Sequence, residues 1–270
     1  MEENKLVTEN APDFNELDSV NQDEAILAQE REIEKEIAHS QPLIGPKEEL
    51  RSLESEYRTD DDVYQAKIQH LEKHYKCLRR TRGDGNCFFR AFGYYYMEQL
   101  LRKPDDLKKF KAMAAQSKSE LVKLGFPEFT IDDFHSTFME VLEKVESGIA
   151  VEDLLNVFND QGFSDYIVVY LRLLTSGYLQ KEATFFRSFI EGERTVKEFC
   201  HQEVEPMAKE SDQIHIIALT STTGIGVRIE YMDRSQTFGK TEVNHHDFPE
   251  ECTPQVYLLY RPGHFDILYQ

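Results

Sequence analysis

Tryptophan is absent, cysteine occurs four times, and glycine and proline are sparse, at 13 and 9 of 270 residues. That composition excludes a collagen-like or low-complexity chain. The cysteines, Cys77, Cys87, Cys200 and Cys252, lie far apart with no CxxC pair. Neither a disulfide framework nor a zinc finger is indicated, and a reducing, cytoplasmic setting is expected. No run approaches the roughly 20 apolar residues that cross a bilayer; the best candidate, 166–174, is short and contains Arg172. The opening MEENKLVTEN has neither the basic start nor the apolar stretch of a secretion signal. Positive charge is also short: 31 Lys and Arg face 50 Asp and Glu, a formal net charge of −19. A nucleic-acid binder needs a basic face to displace counterions. The expected partners are therefore folded proteins with basic surfaces, not nucleic acid or membrane.

What is present is 40% apolar and 30% charged, over a chain long enough to bury a large core. Residues 1–60 carry 17 acidic groups against 6 basic, so over half of the excess charge sits in under a quarter of the chain. Residues 1–20 are acidic and poor in large apolar groups, and read as a disordered tail. From Asp23 the stretch DEAILAQEREIEKEIAH places Ile26, Ile33 and Ile37 at spacings of seven and four, which predicts a helix with one narrow apolar stripe. Such a stripe packs on the body of the protein or becomes ordered in a partner's groove. The helix and a linker, QPLIGPKEE, are assigned to residues 21–45, and the main domain to 46–270.

Within that domain the pattern predicts helices over 47–57, 61–75, 87–101, 105–124, 131–146, 151–159, 164–176 and 195–205, with Thr130 and Ser164 as N-caps. Strands are expected at 77–81, 227–232, 255–261 and 264–269, the last two joined at Pro262-Gly263 as a hairpin. The fold class is α+β, a small sheet surrounded by many helices.

The chemistry concentrates at RTRGDGNCFFRA, residues 80–91. A strand runs into Gly83-Asp84-Gly85-Asn86, and Cys87 then opens an apolar helix. A helix N-terminus favours a thiolate, and a glycine-containing loop can aim backbone N–H groups at one point, as an oxyanion hole requires. The ordinary alternative is a small buried cysteine that only packs. A nucleophilic cysteine also needs a base and an orienting group. Of nine histidines, His39, His70 and His74 fall on charged helices, His135 and His201 on polar helical faces, and His245-His246 in a loop before Asp247. His215, among isoleucines in IHII, reads as a core histidine. His264 follows the Pro-Gly turn, and Asp266, two residues on, lies on the same strand face. A carboxylate there accepts from one imidazole nitrogen and leaves the other for a thiol.

These residues resemble a known family. Asp84-Gly85-Asn86-Cys87, followed by Phe89-Arg90-Ala91, is similar to the nucleophile motif of the ovarian-tumour (OTU) cysteine deubiquitinases, and Tyr260-Arg261-Pro262-Gly263-His264-Phe265-Asp266 to their histidine motif. FNDQGFSDYIVVYLRLLTSGYLQ, GERTVKEFCHQEVEPM and VYLLYRPGHFDILY resemble the otubain branch, over about residues 23–270. The resemblance implies a papain-like cysteine-protease fold with an extra N-terminal helix. In it Cys87 is nucleophile, His264 general base and Asp266 its orienting group, while Asp84 shapes the oxyanion loop of Asp84, Gly85, Asn86 and Cys87. It further implies a monomer that cleaves isopeptide bonds of polyubiquitin, preferring linkage through the lysine at ubiquitin position forty-eight. Ubiquitin-charged conjugating enzymes would be bound and inhibited without use of the thiol. The stripe of Ile26, Ile33 and Ile37 would serve ubiquitin or partner binding, and no metal or organic cofactor is implied. Gly83 departs from the family pattern, which has proline there, as does Gln22 where a tyrosine is expected; residues 221–250 differ most. The local signature of papain itself and an HExxH metal motif are both missing from the sequence.

Overall fold

Strand β6 (His264–Tyr269), the last element of the chain, lies in the middle of a six-stranded sheet. A computed structural model describes residues 29, 40–234 and 242–270. The acidic tail and the stripe of Ile26, Ile33 and Ile37 lie outside the described residues. The other strands are β1 (Ile44–Glu49), β2 (Cys77–Thr81), β3 (Val227–Tyr231), β4 (Asn244–Phe248) and β5 (Val256–Arg261). Their order is β1-β2-β6-β5-β3-β4, antiparallel throughout except for the parallel pair β3–β5.

Helix α1 (Asp62–Glu72) lies ahead of β2, and α2 (Cys87–Leu100) follows it. Then come α3 (Pro104–Lys123), α4 (Glu128–Glu146), α5 (Val151–Asn159), α6 (Gln161–Lys181), the short α7 (Ala183–Phe186) and α8 (Val196–Phe199), and α9 (Gln213–Thr223). A helix apolar on every side belongs in the interior. In α2, Phe88, Phe89, Phe92, Tyr94, Tyr95, Tyr96 and Met97 are all buried. The helix packs between β5–β6 and α6, with the Phe88 and Phe265 rings 5.3 Å apart.

This packing brings the two ends of the domain together. Antiparallel pairing of β2 with β6 (Leu78 opposite Leu268, Arg79 opposite Ile267) sets the exit of β2 beside the entry of β6. The exit leads to Cys87, and the entry carries His264.

Four expectations are corrected. The stretch read as linker and helix is an edge strand followed by a 3-10 helix over Leu50–Glu56. Leu43 and Ile44 are buried, and the compact unit starts at Pro42; the boundary at 46 thus falls inside β1. Asn159 of α5 holds this strand by bonding both the N–H and the carbonyl of Ile44, at 2.9 and 3.0 Å. His245 and His246 are not in a loop but in β4, opposite Glu230 and Ile229. The helix expected at 164–176 begins at Gln161, capped by Asp160, so Ser164 is interior; Thr130 is likewise inside α4. Finally, 195–205 is one turn of α-helix continuing as a π turn over Cys200–Val204.

Replacing a central aromatic should cost what cavity formation costs. Phe92→Ala is expected to lower the unfolding free energy by about 3–5 kcal/mol. Phe129→Ala, at a side chain that is 82% exposed, should change it by about 0.5 kcal/mol or less. Urea titrations of the two variants beside the parent protein check this, and equal losses would contradict the placement of α2 in the core.

Candidate active site

The loop between β2 and α2 is shaped by its own polar groups. Asp84 donates its N–H to the carbonyl of Arg82 at 3.0 Å, and its Oδ1 accepts the Asn86 N–H at 2.9 Å. Gly85 has φ +72°, and a Cβ added there would lie 2.5 Å from the backbone of Ala208. Only glycine suits both the left-handed backbone and that approach. The Oδ1 of Asn86 accepts the Ala208 N–H and the Arg172 Nη2, each at 2.9 Å.

Two fully buried arginines hold this loop from below. Arg172 of α6 donates to the carbonyls of Gly85 (2.9 Å), Val204 (3.0 Å) and Lys209 (2.7 Å), and stacks 4.6 Å over the Phe89 ring. Burial pushes its pKa down to about 10, against the favourable charge of Asp84. Arg90 pairs with Asp84 at 2.8 Å and donates to Ser164 at 3.0 Å. A buried guanidinium must be paired and hydrogen-bonded, so each arginine ties the loop to α6. Cys87 thereby stands buried at the first position of α2. The backbone N–H groups of Gly85 and Cys87 have no acceptor among the described residues, and are the donors left to meet a developing oxyanion.

From the other side comes the hairpin of β5 and β6. Pro262-Gly263 forms its two-residue turn, with Gly263 at φ +75°. His264 and Asp266 share a face, and Nε2 of the imidazole donates to Oδ1 of Asp266 at 2.9 Å. The Nδ1 edge is left on the side of Cys87, whose sulfur favours the charged imidazole. Gly83 borders that edge, where an added Cβ would meet Nδ1 at an ordinary 3.6 Å.

Burial opposes charge on His264, but the hydrogen bond to Asp266 and the proximity of Cys87 prevail, and its pKa is pushed up to about 9. Asp266 is fully buried, which disfavours its anion. The hydrogen bond from His264, the charges of Arg261 and His264 and the Thr81 N–H (3.0 Å) outweigh that burial and hold its pKa below the usual carboxylate range. Imidazolium and carboxylate are thus the favoured forms at neutral pH, beside the Cys87 sulfur.

The structure brings together Cys87, His264 and Asp266, with Asp84, Gly85 and Asn86 forming the loop beneath them. His215 is a core histidine whose Nδ1 accepts the Asp212 N–H at 3.0 Å, with burial pushing its pKa down to about 4. Three residues of the site are given no role by sequence reasoning: Arg90, Arg172 and Arg261. Their signal was an arginine inside an otherwise apolar run, where a cation requires partners.

A family model described as Peptidase C65 Otubain matches residues 36–270. The chain belongs to the otubain family. Ubiquitin thioesterase OTUB1 of Homo sapiens is 58% identical to this otubain over 248 residues, covering 92% of this chain and 90% of that one. Ubiquitin thioesterase OTUB2 of Homo sapiens is 45% identical over 227 residues, 84% of this chain and 95% of that protein. Among solved structures, the h/ceOTUB1-ubiquitin aldehyde-UBCH5B~Ub complex contains a similar chain, with a TM-score of 0.86 and 38% identity. That match covers 93% of this otubain and 98% of the other chain.

The raised pKa of His264 has a consequence for stability. Its charged form contributes fully below the unfolded value of about 6.5, and the contribution disappears as pH rises through about 9. The unfolding free energy of the parent protein minus that of His264→Gln is expected to be largest at pH 6 and to shrink steadily towards pH 10. A difference constant across that range, measured by urea titration, would mean that the folded imidazole carries no stabilised charge.

Proposed function

We propose that this otubain hydrolyses the isopeptide bond between the C-terminal glycine of one ubiquitin and a lysine of another, with Cys87 as nucleophile. The observation that carries the reading is the Cys87–His264–Asp266 line in an otubain chain: a thiol at a helix start, beside an imidazole whose Nε2 holds a buried carboxylate. The Cys87 thiolate attacks the glycine carbonyl carbon, and the oxyanion meets the N–H groups of Gly85 and Cys87. His264 gives its proton to the departing lysine amine as the C–N bond breaks, leaving a thioester. Neutral His264 then takes a proton from water, the hydroxide attacks the thioester, and the Cys87 thiolate leaves. Asp266 keeps the imidazole oriented and stabilises its charged form. Asp84 holds the loop in the shape that exposes the donors.

A second activity has support of its own. Solved OTUB1 complexes contain ubiquitin aldehyde together with UBC13~Ub or UBCH5B~Ub. On that basis this chain also binds ubiquitin-charged conjugating enzymes, in a mode that needs no thiol chemistry. Within this reading the stripe of Ile26, Ile33 and Ile37 contacts ubiquitin or the conjugating enzyme. Preference for the lysine at ubiquitin position forty-eight, a monomeric state and a cytoplasmic setting that keeps Cys87 reduced complete the proposal.

Cys87→Ala should lower cleavage of ubiquitin chains by at least about a thousandfold while still suppressing chain synthesis by a conjugating enzyme. Retained cleavage removes the nucleophile assignment, and lost suppression removes the second activity. Deleting residues 1–40, which stops short of β1, should spare reaction with a ubiquitin C-terminal probe and sharply reduce chain cleavage in gel assays. Equal loss of both would contradict a separate role for the N-terminal segment.

A further inference from the structure

Beyond the three groups of the site, polar side chains continue in a line of alternating charge. The Oδ2 of Asp266 is paired with Nη2 of Arg261, on the neighbouring strand β5. Nη1 of Arg261 reaches Oε2 of Glu56 at 2.6 Å, and the hydroxyl of Tyr57 lies close to the same guanidinium. The other oxygen of Glu56 is paired with Arg80 on β2. Read from the sulfur, the sequence is Cys87, His264, Asp266, Arg261, Glu56, Arg80. It draws on α2, β6, β5, the 3-10 helix over Leu50–Glu56, and β2.

Both terminal nitrogens of Arg261 are engaged, and that bears on His264. Oδ1 of Asp266 accepts from both His264 and the Thr81 N–H, so with Oδ2 bound to Arg261 the carboxylate has no freedom to rotate. A pinned carboxylate fixes the plane of the imidazole it bonds. Without Arg261, a fully buried carboxylate would keep one oxygen uncompensated, and burial would then favour its protonated form. Arg261 in turn is a long side chain whose direction depends on Glu56 and Tyr57, contributed by the segment that directly follows β1.

We propose that Arg261, gripped by Glu56, is a positioning residue of the reaction: it fixes Asp266 and thereby His264, and it couples the segment 50–57 to the reactivity of Cys87. The proposal rests on the reading of Cys87 as nucleophile. The charged and titratable groups involved are Cys87, His264 and Asp266 on one side and Arg80, Arg261, Glu56 and Tyr57 on the other.

Glu56 is the variant that tests this without unfolding the protein, since 35% of its side chain is exposed, whereas Arg261→Met strips a buried carboxylate of its cation. Two readouts are taken on the full chain. The first is the rate of Cys87 alkylation by iodoacetamide from pH 4 to 10, resolved from Cys77 and Cys252 by peptide mass. The second is kcat and KM on a fluorogenic ubiquitin substrate.

For Glu56→Gln the excess rate of Cys87 alkylation over Cys77 and Cys252 below neutral pH should diminish, with kcat reduced about threefold to tenfold and KM within twofold. Arg261→Met should lose roughly 10–100-fold in kcat, the range expected of groups that orient a histidine, and Arg261→Lys should recover part of it. A parent-like alkylation profile in both Glu56→Gln and Arg261→Lys overturns the proposal, as does a loss of kcat that only tracks the folded fraction. If Cys87 of the parent protein is alkylated no faster than Cys77 and Cys252, the nucleophile reading falls and this one with it.

Discussion

A carboxylate with no exposed surface, Asp266, is the constraint around which the catalytic end of this otubain is arranged. An ion so placed persists only with its lone pairs occupied. Three strands meet that need: β2 supplies the Thr81 N–H, β5 supplies Arg261, and β6 supplies both the carboxylate and His264. The order β2-β6-β5 is what puts all three within reach. Satisfying one buried charge therefore fixes the register of the sheet where it meets α2, and this delivers the imidazole to the sulfur.

The opposite wall of the site is built on different support. Arg90 and Arg172 are fully buried; Arg90 ties the loop before Cys87 to α6, and Arg172, itself on α6, ties it to the segment after α8. Their partners are mainly backbone carbonyls and the side chains of Asp84, Asn86 and Ser164. The loop is thereby fixed in shape, with the N–H groups of Gly85 and Cys87 left without an acceptor among the described residues. Ala208 at φ +60° is the local cost of bringing that segment close to Gly85.

The two walls were unequally legible in the sequence. Cys87 at the start of an apolar helix, and His264 with Asp266 two residues on, followed from spacing and from the Pro-Gly turn. The long helices followed from their periodicity. Misread elements are those where local pattern and tertiary role diverge. Strand β4 (NHHDF) is polar because it is an edge strand with one neighbour, β3. Helix α9 (QIHIIALTSTT) is rich in branched apolar residues, and its buried His215 caps its own N-terminus. Strand β1 contains Gly45-Pro46 and an irregular register against β2, which reads locally as a linker.

Local pattern alone marked the candidate groups: a thiol at a helix mouth, an imidazole and a carboxylate two residues apart on a strand, and a glycine loop between strand and helix. These are local facts, set by periodicity, turn chemistry and position along the chain. Only the tertiary structure decided that they meet, which nitrogen of His264 faces the sulfur, and that Arg90, Arg172 and Arg261 support them. Those outcomes depend on pairing between residues as far apart as Thr81 and Asp266. A buried charge selects its partners by distance in space, and no local spacing encodes that.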